Sequence, residues 1–225
     1  MEYVEVARAE SARGEVVLRE RRDPDGTAAP VLELRVNGVF VMDTRETSTE
    51  RALARALLDQ VDEARAVLVG GLGLGYTAQE VLADPRVERL TVVEIEDALV
   101  GWMRDGTVPH GPQALADERL DVVVADVRRA LAAAPPATYD LVLLDVDNGP
   151  GYLVHDANAA VYAAPFLATT RAALRPGGAV AVWSSSPSDV LAERLREVFG
   201  NATAHPYDVR LQERDEQYWL YVSTR

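Results

Sequence analysis

The chain has 225 residues, of which 36 are acidic and 23 basic, so its formal net charge is −13. Hydrophobic residues make up 48% and charged residues 26%, which is typical of a globular protein rather than a disordered one. The lack of cysteine excludes disulfides, thiol nucleophiles and thiolate metal sites, and the acidic balance disfavours nucleic acid as a partner.

No segment has the pattern of a membrane span or a secretion signal. The longest uncharged runs, at residues 157–170 and 176–188, are shorter than the roughly 20 apolar residues that a bilayer requires. The N-terminal segment is rich in glutamate and lacks the apolar core of a signal peptide. We therefore expect a cytoplasmic protein without a membrane partner.

The N-terminal region has the pattern of β-hairpins. Apolar and charged residues alternate over residues 31–36, and the Asn-Gly pair at 37–38 is a strong signal for a two-residue hairpin turn. The sequence Asp-Pro-Asp-Gly at 23–26 indicates another turn. We predict an N-terminal β-hairpin domain over residues 1–45 and a second domain over residues 46–225.

A different pattern begins at Thr47. Thr47 and Glu50 have the spacing of a helix capping box, and apolar residues follow at helical intervals. Short apolar runs then alternate with helical segments. The predicted strands are residues 66–69, 90–93, 120–125, 140–144 and 179–183, and the predicted helices are residues 77–83, 95–105, 127–133, 159–174 and 189–199.

These apolar runs lack polar alternation, as expected of strands buried on both faces of a parallel sheet. Two extended segments, at residues 205–211 and 217–223, predict an antiparallel pair that completes the sheet. The fold class is therefore α/β, with a doubly wound, Rossmann-like sheet of seven strands behind a small N-terminal hairpin domain.

A glycine-rich turn follows the first buried strand. The sequence VGGLGLG places Gly71, Gly73 and Gly75 directly before a helix, where a ligand can approach the backbone amides closely. A dinucleotide fingerprint would need a further glycine where Tyr76 stands, and the Gly-Lys-Ser/Thr of a P-loop is absent. The spacing suits a nucleoside that has no pyrophosphate, and the simpler alternative is a tight turn.

Acidic residues end the next two predicted strands. In open α/β sheets, ligands bind beyond the carboxyl ends of the strands. Glu94 can accept hydrogen bonds from both ribose hydroxyls, although an isolated glutamate there could equally be a solvated strand end. Asp126 could accept from an adenine amino group, and Val127 could pack against the ring. Together with the glycine loop, these residues predict a nucleoside site.

The fourth strand of this series ends in a loop rich in polar residues. Asp145 and Asp147 are two residues apart, and nearby carboxylates can bind a cation or take a proton from an amine. We expect both to be catalytic, with Asn148, Tyr152 and His155 lining the substrate pocket. The alternative is a turn that only caps the next helix. No histidine has neighbours at metal-ligand spacing, so we expect no metal.

The ordered motifs resemble the class I S-adenosylmethionine-dependent methyltransferase fold, and the chain as a whole resembles the spermidine synthase (polyamine aminopropyltransferase) family. The motifs that carry the resemblance are VGGLGLG at 69–75, VVEIE at 92–96, VVVADVRRAL at 122–131, LVLLDVDNGPG at 141–151 and LRPGG at 174–178. The resemblance implies that Glu94 binds ribose, that Asp126 lies beside adenine and that Asp145 activates the acceptor amine. It also implies a homodimer formed through the N-terminal hairpins.

Three positions depart from that family. Its glycine loop reads GGGDGG, and the aspartate, which meets the aminopropyl ammonium of the donor, corresponds to Leu74 here. Its second loop aspartate corresponds to Asn148, and a Tyr-His pair in the helix after the hairpin domain is absent. A decarboxylated donor presents an ammonium that needs an anionic partner, which leucine cannot supply.

We therefore expect an S-adenosylmethionine-dependent methyltransferase on a spermidine-synthase-like scaffold, acting on a small-molecule acceptor such as an amine. One alternative is a polyamine aminopropyltransferase that uses decarboxylated S-adenosylmethionine. The other is a catalytically silent protein that binds a nucleoside. Binding of the two donors, measured side by side, separates the three hypotheses.

Overall fold

The structure is a computed structural model that describes residues 2–22, 29–211 and 214–225. Its first four strands form an antiparallel sheet in chain order. They are β1 (Glu2–Ser11), β2 (Gly14–Arg22), β3 (Val31–Val36) and β4 (Val39–Asp43). The predicted turn at residues 23–26 lies outside the described residues. The predicted turn at 37–38 joins β3 to β4, with positive φ angles of 51° at Asn37 and 74° at Gly38.

One face of this small sheet is apolar and packs against the rest of the molecule. Val16, Leu18, Leu34 and Met42 are buried in the same hydrophobic cluster as residues of the first helix and of the second sheet. The hairpin region therefore shares a core with the region that follows it, and the division into domains at residues 45 and 46 stays a prediction.

The first helix, α1 (Ser48–Leu58), begins where the capping box was predicted, but the box does not form. Thr47 is the N-cap residue and makes no side-chain capping hydrogen bond. Glu50 instead lines the cleft between the two sheets. The amphipathic face of α1 explains its position, since Leu53, Ala54 and Leu57 are completely buried.

The remaining strands form one seven-stranded sheet in the order β10-β11-β9-β8-β5-β6-β7, which confirms the predicted fold. The strands are β5 (Ala66–Gly70), β6 (Arg89–Glu94), β7 (Leu120–Val124), β8 (Tyr139–Leu144), β9 (Leu174–Ser184), β10 (Thr203–Leu211) and β11 (Arg214–Thr224). The helices are α2 (Tyr76–Ala83), α3 (Asp97–Asp105), α4 (Gly111–Ala114), α5 (Val127–Ala133), α6 (Ala164–Ala173) and α7 (Asp189–Phe199).

The central strands are buried on both faces because successive side chains enter different cores. In β8, Leu141 and Leu143 join the core beneath the hairpin sheet, whereas Val142 and Leu144 join the core on the opposite face. The parallel pairing of β5 with β6 and β8 then brings the carboxyl ends of these strands to one edge of the sheet. None of the described helices is long and apolar enough to span a bilayer.

Two predicted helix boundaries are wrong, each for a local reason. The predicted helix at 159–174 is divided into a 3₁₀ helix (Asp156–Tyr162) and α6, because Pro165 fits the first turn of a helix but not its interior. Helix α3 begins at Asp97 rather than at residue 95, because the amides of Ile95 and Glu96 donate to the Glu94 carboxylate.

Candidate active site

A cleft lies between the hairpin sheet and the carboxyl edge of the seven-stranded sheet. It brings together most of the predicted site residues, namely Gly71, Gly73, Glu94, Asp126, Val127, Asp145, Asp147, Asn148 and His155. Gly75 and Tyr152 are not part of its lining. The hairpin sheet closes the opposite wall with apolar side chains such as Leu34, Val41 and Met42.

The glycine loop after β5 requires two of its glycines for close packing. Gly71 has a φ of 97°, and a Cβ there would lie 1.9 Å from the carbonyl oxygen of Asp145. Gly73 has a φ of 51°, and its Cβ would lie 2.7 Å from Met42 Sδ. Gly75, with a φ of 86°, is the N-cap of α2 and does not line the cleft. The loop therefore presents bare backbone to a ligand.

Leu74 does not face the cleft. Its side chain is completely buried in the core, and its carbonyl oxygen is 2.7 Å from His110 Nε2. The amide of Leu74 lies 3.2 Å from Met42 Sδ. The identity of this residue therefore reflects packing of the loop, and any anionic partner for a cationic substrate must come from other positions.

Glu94 connects the glycine loop to the end of β6. Its Oε2 accepts from the Leu72 amide at 2.8 Å, and its Oε1 accepts from the amides of Ile95 at 2.8 Å and Glu96 at 2.9 Å. Burial raises the pKa of the Glu94 carboxyl, and the three amides act in the opposite direction. The structure thus gives Glu94 a role in loop geometry, and its contact with ribose stays a prediction.

Asp126, which was predicted to lie beside adenine, is paired within the protein. It caps α5 by accepting from the Arg128 amide at 2.8 Å, and the Arg128 guanidinium bonds both of its oxygens. These bonds hold the pKa of Asp126 below its ordinary value. Next to it, the buried side chain of Val127 forms part of the apolar wall against which a ring could pack.

Asp147 organises the loop after β8. Its Oδ1 accepts from the amides of Asn148 at 2.7 Å and Val154 at 2.8 Å, and its Oδ2 accepts from Asn158 Nδ2 at 2.6 Å. Both oxygens are therefore engaged in holding the loop, which differs from the free carboxylate that a proton acceptor needs. The predicted catalytic role of Asp147 has no support in this geometry.

The carboxyl group of Asp145, unlike that of Asp147, does not hold the loop through hydrogen bonds. It lines the cleft, and no hydrogen-bond donor in the described part of the chain reaches it. Burial raises the pKa of Asp145 to about 7, with further contributions from the negative charges of Glu50 and Glu94. A carboxylate of this kind can accept a proton near neutral pH.

Glu50 is an acidic residue of the cleft that the sequence analysis missed. It lies in the first turn of α1, and burial raises its pKa to about 6, opposed by hydrogen bonds and assisted by the charges of Glu46 and Asp43. In the sequence, an acid three residues after a threonine indicates helix capping. No local signal distinguishes that role from one in a cleft.

The loop after β8 places its remaining predicted residues differently. Asn148 and His155 line the cleft, whereas Tyr152 is 57% exposed on the outer surface. His155 Nε2 lies 3.3 Å from Asn37 Nδ2, in the turn between β3 and β4. Trp183, at the end of β9, forms part of the wall and packs edge-to-face on Tyr218 with ring centroids 4.9 Å apart.

A second contact joins the hairpin sheet to the cleft. Arg13, in the turn between β1 and β2, donates to Glu96 at 3.1 Å, and both side chains line the cleft. The two hairpin turns thus each contact a residue of the cleft lining, Glu96 through Arg13 and His155 through Asn37. The sequence does not reveal these contacts, because the position of the small sheet on the large one depends on tertiary packing.

Residues 37–196 match the family model described as the spermine/spermidine synthase domain. The chain belongs to this family. Polyamine aminopropyltransferase 2 of Pseudomonas aeruginosa is 34% identical over 65% of this chain and 42% of its own length. Polyamine aminopropyltransferase 2 of Hyperthermus butylicus is 29% identical over 88% of this chain and 68% of its own length. The match thus spans less than half of the Pseudomonas protein and about two thirds of the Hyperthermus protein.

Solved structures support the fold. A spermidine synthase in complex with the transition state analogue AdoDATO has a TM-score of 0.83 at 15% identity, covering 98% of this chain and 73% of that chain. Spermidine synthase from Thermotoga maritima has a TM-score of 0.81 at 16% identity, covering 98% of this chain and 72% of that chain. At such low identity, the similarity concerns architecture alone.

These comparisons overturn the expectation of methyl transfer. The family is one of transferases, and the relatives named above are polyamine aminopropyltransferases, which was the alternative hypothesis. The expectation depended on Leu74 as the missing anionic partner of the donor. That argument fails because Leu74 lies in the core, while Glu50 and Asp145 supply negative charge to the cleft from other elements.

Proposed function

We propose that the protein is an aminopropyltransferase, which transfers the aminopropyl group of decarboxylated S-adenosylmethionine to the nitrogen of a small amine. The observation that carries this proposal is the Asp145 carboxyl group, which faces the cleft without a hydrogen bond from any described residue and has its pKa raised to about 7. The family membership of residues 37–196 supports the same reaction class.

Asp145 acts as the proton acceptor in this reaction. The lone pair of the amine nitrogen attacks the aminopropyl carbon bonded to the sulfonium sulfur, and a new C–N bond forms. The C–S bond breaks with its electron pair moving to sulfur, which leaves neutral methylthioadenosine. The proton released from the attacking nitrogen passes to Asp145, whose pKa near neutrality suits this exchange. Positioning of donor and acceptor supplies most of the remaining rate enhancement.

The two ends of the cleft suit the two substrates. Gly71, Gly73, Glu94, Asp126 and Val127 would hold the adenosine part of the donor. The reacting end contains the carboxyl groups of Asp145 and Glu50, which attract an ammonium and repel a carboxylate. The cleft therefore favours a donor that has lost its carboxylate over intact S-adenosylmethionine.

Release of methylthioadenosine tests the proposal. The purified protein would be incubated with decarboxylated S-adenosylmethionine and a panel of mono- and diamines, and the products would be quantified by mass spectrometry. We expect methylthioadenosine and an acceptor that is heavier by one aminopropyl group in stoichiometric amounts. A parallel reaction with intact S-adenosylmethionine should yield no methylated amine. Methylation without aminopropyl transfer would refute the proposal.

A further inference from the structure

The turn between β1 and β2 is tied to the next hairpin turn, which fixes the backbone of Arg13. The carbonyl oxygen of Arg13 accepts from Asn37 Nδ2 at 3.1 Å, and Asn37 Oδ1 accepts from the Glu15 amide at 3.0 Å. Gly14 makes this arrangement possible, because its φ is 109° and a Cβ there would lie 1.8 Å from Asn37 Oδ1. Arg13 is therefore presented to the cleft by a well-braced turn.

Glu96 binds Arg13 although it stands where it could cap a helix. It is the N-cap residue of α3, a position whose side chain commonly accepts from amides of the first turn. Its carboxylate makes no such bond. Instead, Glu96 Oε1 accepts from Arg13 Nε at 3.1 Å, across 83 residues of the sequence. The carboxylate thus joins the hairpin sheet to the large sheet rather than serving its own helix.

This ion pair connects the two walls of the cleft at its adenosine end. Both side chains line the cleft, and they are 26% and 11% exposed, so the pair lies where the cleft meets solvent. The residues on either side of Glu96, namely Ile95 and Leu99, line the same part of the cleft together with Val127. Their apolar surface is where the adenosine part of the donor would lie, next to the pair.

The pair can open without unfolding the sheet that carries it. The hairpin sheet is held on the rest of the molecule by its buried apolar face, which includes Val16 and Leu34. A partly exposed ion pair adds only modestly to that stability, so its separation is easy. Because the two groups are hydrogen-bonded and partly buried, salt screens their contact less than it screens the approach of a distant charge.

We propose that Arg13 and Glu96 form a clasp over the adenosine end of the cleft, which opens to admit the nucleoside and closes to retain it. This inference builds on the proposed aminopropyl transfer, in which the nucleoside product is methylthioadenosine. Release of this product then requires the guanidinium and the carboxylate to separate. Both are positioning residues, since the proton acceptor of the reaction is Asp145.

The dissociation rate of methylthioadenosine tests the clasp without any turnover. Stopped-flow displacement can follow it through the fluorescence of Trp183, which lines the cleft. R13Q and E96Q should each release the nucleoside about fivefold faster than the wild type, because a charge-assisted hydrogen bond is lost. R13Q/E96Q should be no faster than either single variant, since both remove the same contact. The charge-swapped variant R13E/E96R should recover slow release, which a merely structural role would not produce.

Arg8 provides the matched control on the same sheet. It lies on β1, pairs with Glu5 and Glu15 and is not part of the cleft lining. R8Q therefore removes an ion pair of the hairpin sheet outside the cleft, and methylthioadenosine should leave it at the wild-type rate. Thermal unfolding of every variant would verify that the proteins are folded.

A crosslink tests whether the clasp must open. The chain has no cysteine, so R13C/E96C contains thiols at these two positions alone. Joined by a short bismaleimide, the empty protein should take up methylthioadenosine at least tenfold more slowly, and protein joined in the presence of the nucleoside should retain it through gel filtration. The control is the same variant treated with N-ethylmaleimide, which modifies both thiols without joining them.

The outcomes separate this inference from the proposed function. Exchange at the same rate in the crosslinked protein and its control, or faster release in R13Q that R13E/E96R does not recover, would overturn the clasp. A wild-type protein that does not bind methylthioadenosine would overturn it as well. Clasp-dependent exchange in a protein that transfers no aminopropyl group would support the clasp and refute the proposed function. Aminopropyl transfer with exchange that is independent of both residues would refute the clasp alone.

Discussion

Asp145 lines the cleft beside the glycine loop, and no hydrogen-bond donor among the described residues reaches its carboxyl group. Asp145→Asn removes the proton acceptor and nearly preserves shape, so we expect kcat to fall by roughly 10²–10⁴-fold while donor affinity changes less than threefold. Methylthioadenosine release and calorimetry with decarboxylated S-adenosylmethionine measure the two effects. The control is Asp156→Asn, an exposed acid outside the cleft lining, which should retain full activity. Normal turnover by Asp145→Asn would exclude the assigned role.

The same carboxyl group should make folding stability depend on pH. Its pKa is raised from 3.8 to about 7 in the folded protein, so the folded state binds more protons than the unfolded state between these values. The contribution of Asp145 to stability therefore falls as the pH rises through this range. Asp145→Asn should be more stable than the wild type at pH 8, on the order of 1 to 3 kcal/mol, and the gain should shrink at pH 5. Calorimetric unfolding at both pH values would show this, and a gain independent of pH would contradict it.

At the scale of single residues, the sequence predicted some residues of the cleft and missed others. Nine of the predicted residues line one cleft, because strand ends in a parallel sheet converge at one edge. Glu50 was missed, since its spacing from Thr47 indicates a helix cap and its approach to Asp145 depends on tertiary packing. Tyr152 was predicted as a pocket residue, but a loop side chain can turn to either side, and here it turns outward.

At the scale of elements, the glycine loop and the end of β8 form one packed unit. Gly71→Ala adds a Cβ at a φ of 97°, only 1.9 Å from the Asp145 carbonyl oxygen, so the loop must shift. We expect a loss of about 2 to 4 kcal/mol in the free energy of unfolding and weaker donor binding. Urea unfolding would measure the first effect and calorimetry the second.

Gly101 provides the matched control for this substitution. It lies within α3, and a Cβ there would meet nothing within 4 Å. Gly101→Ala should therefore leave stability unchanged or raise it by about 1 kcal/mol, because alanine favours the helix. If the two substitutions changed the free energy of unfolding equally, close packing at residue 71 would not determine the conformation of the loop.

Most elements were predictable because their patterns are dictated locally. The helices at 127–133 and 189–199 have the predicted limits, since Asp126 and Ser188 cap them with their own side chains. The predicted helix boundaries were wrong at two places. The Glu94 carboxylate binds the amides that would begin α3, and Pro165 starts a new helix within the predicted one. The placement of the hairpin sheet could not be predicted, because it depends on complementary apolar faces that are far apart in the sequence.

At the scale of the whole molecule, the chain has a net charge of −13, and several acidic residues line its cleft. Long-range attraction should accelerate the encounter with cationic substrates, and salt screens it over a Debye length of about 8 Å at physiological ionic strength. We expect kcat/KM for a diamine to fall several-fold as NaCl rises from low concentration to about 0.2 M. Binding of neutral methylthioadenosine, the control ligand, should stay constant. A salt-independent kcat/KM would contradict electrostatic steering.

The core that joins the two sheets contains residues from both ends of the chain. Val16 in β2 and Val222 in β11 belong to the same buried cluster, and β11 occupies a position between β9 and β10. This cluster therefore cannot close until more than two hundred residues have been synthesised. Contacts of such long sequence separation slow folding, so β11 should join this core after the hairpin sheet and α1, which are separated by far fewer residues.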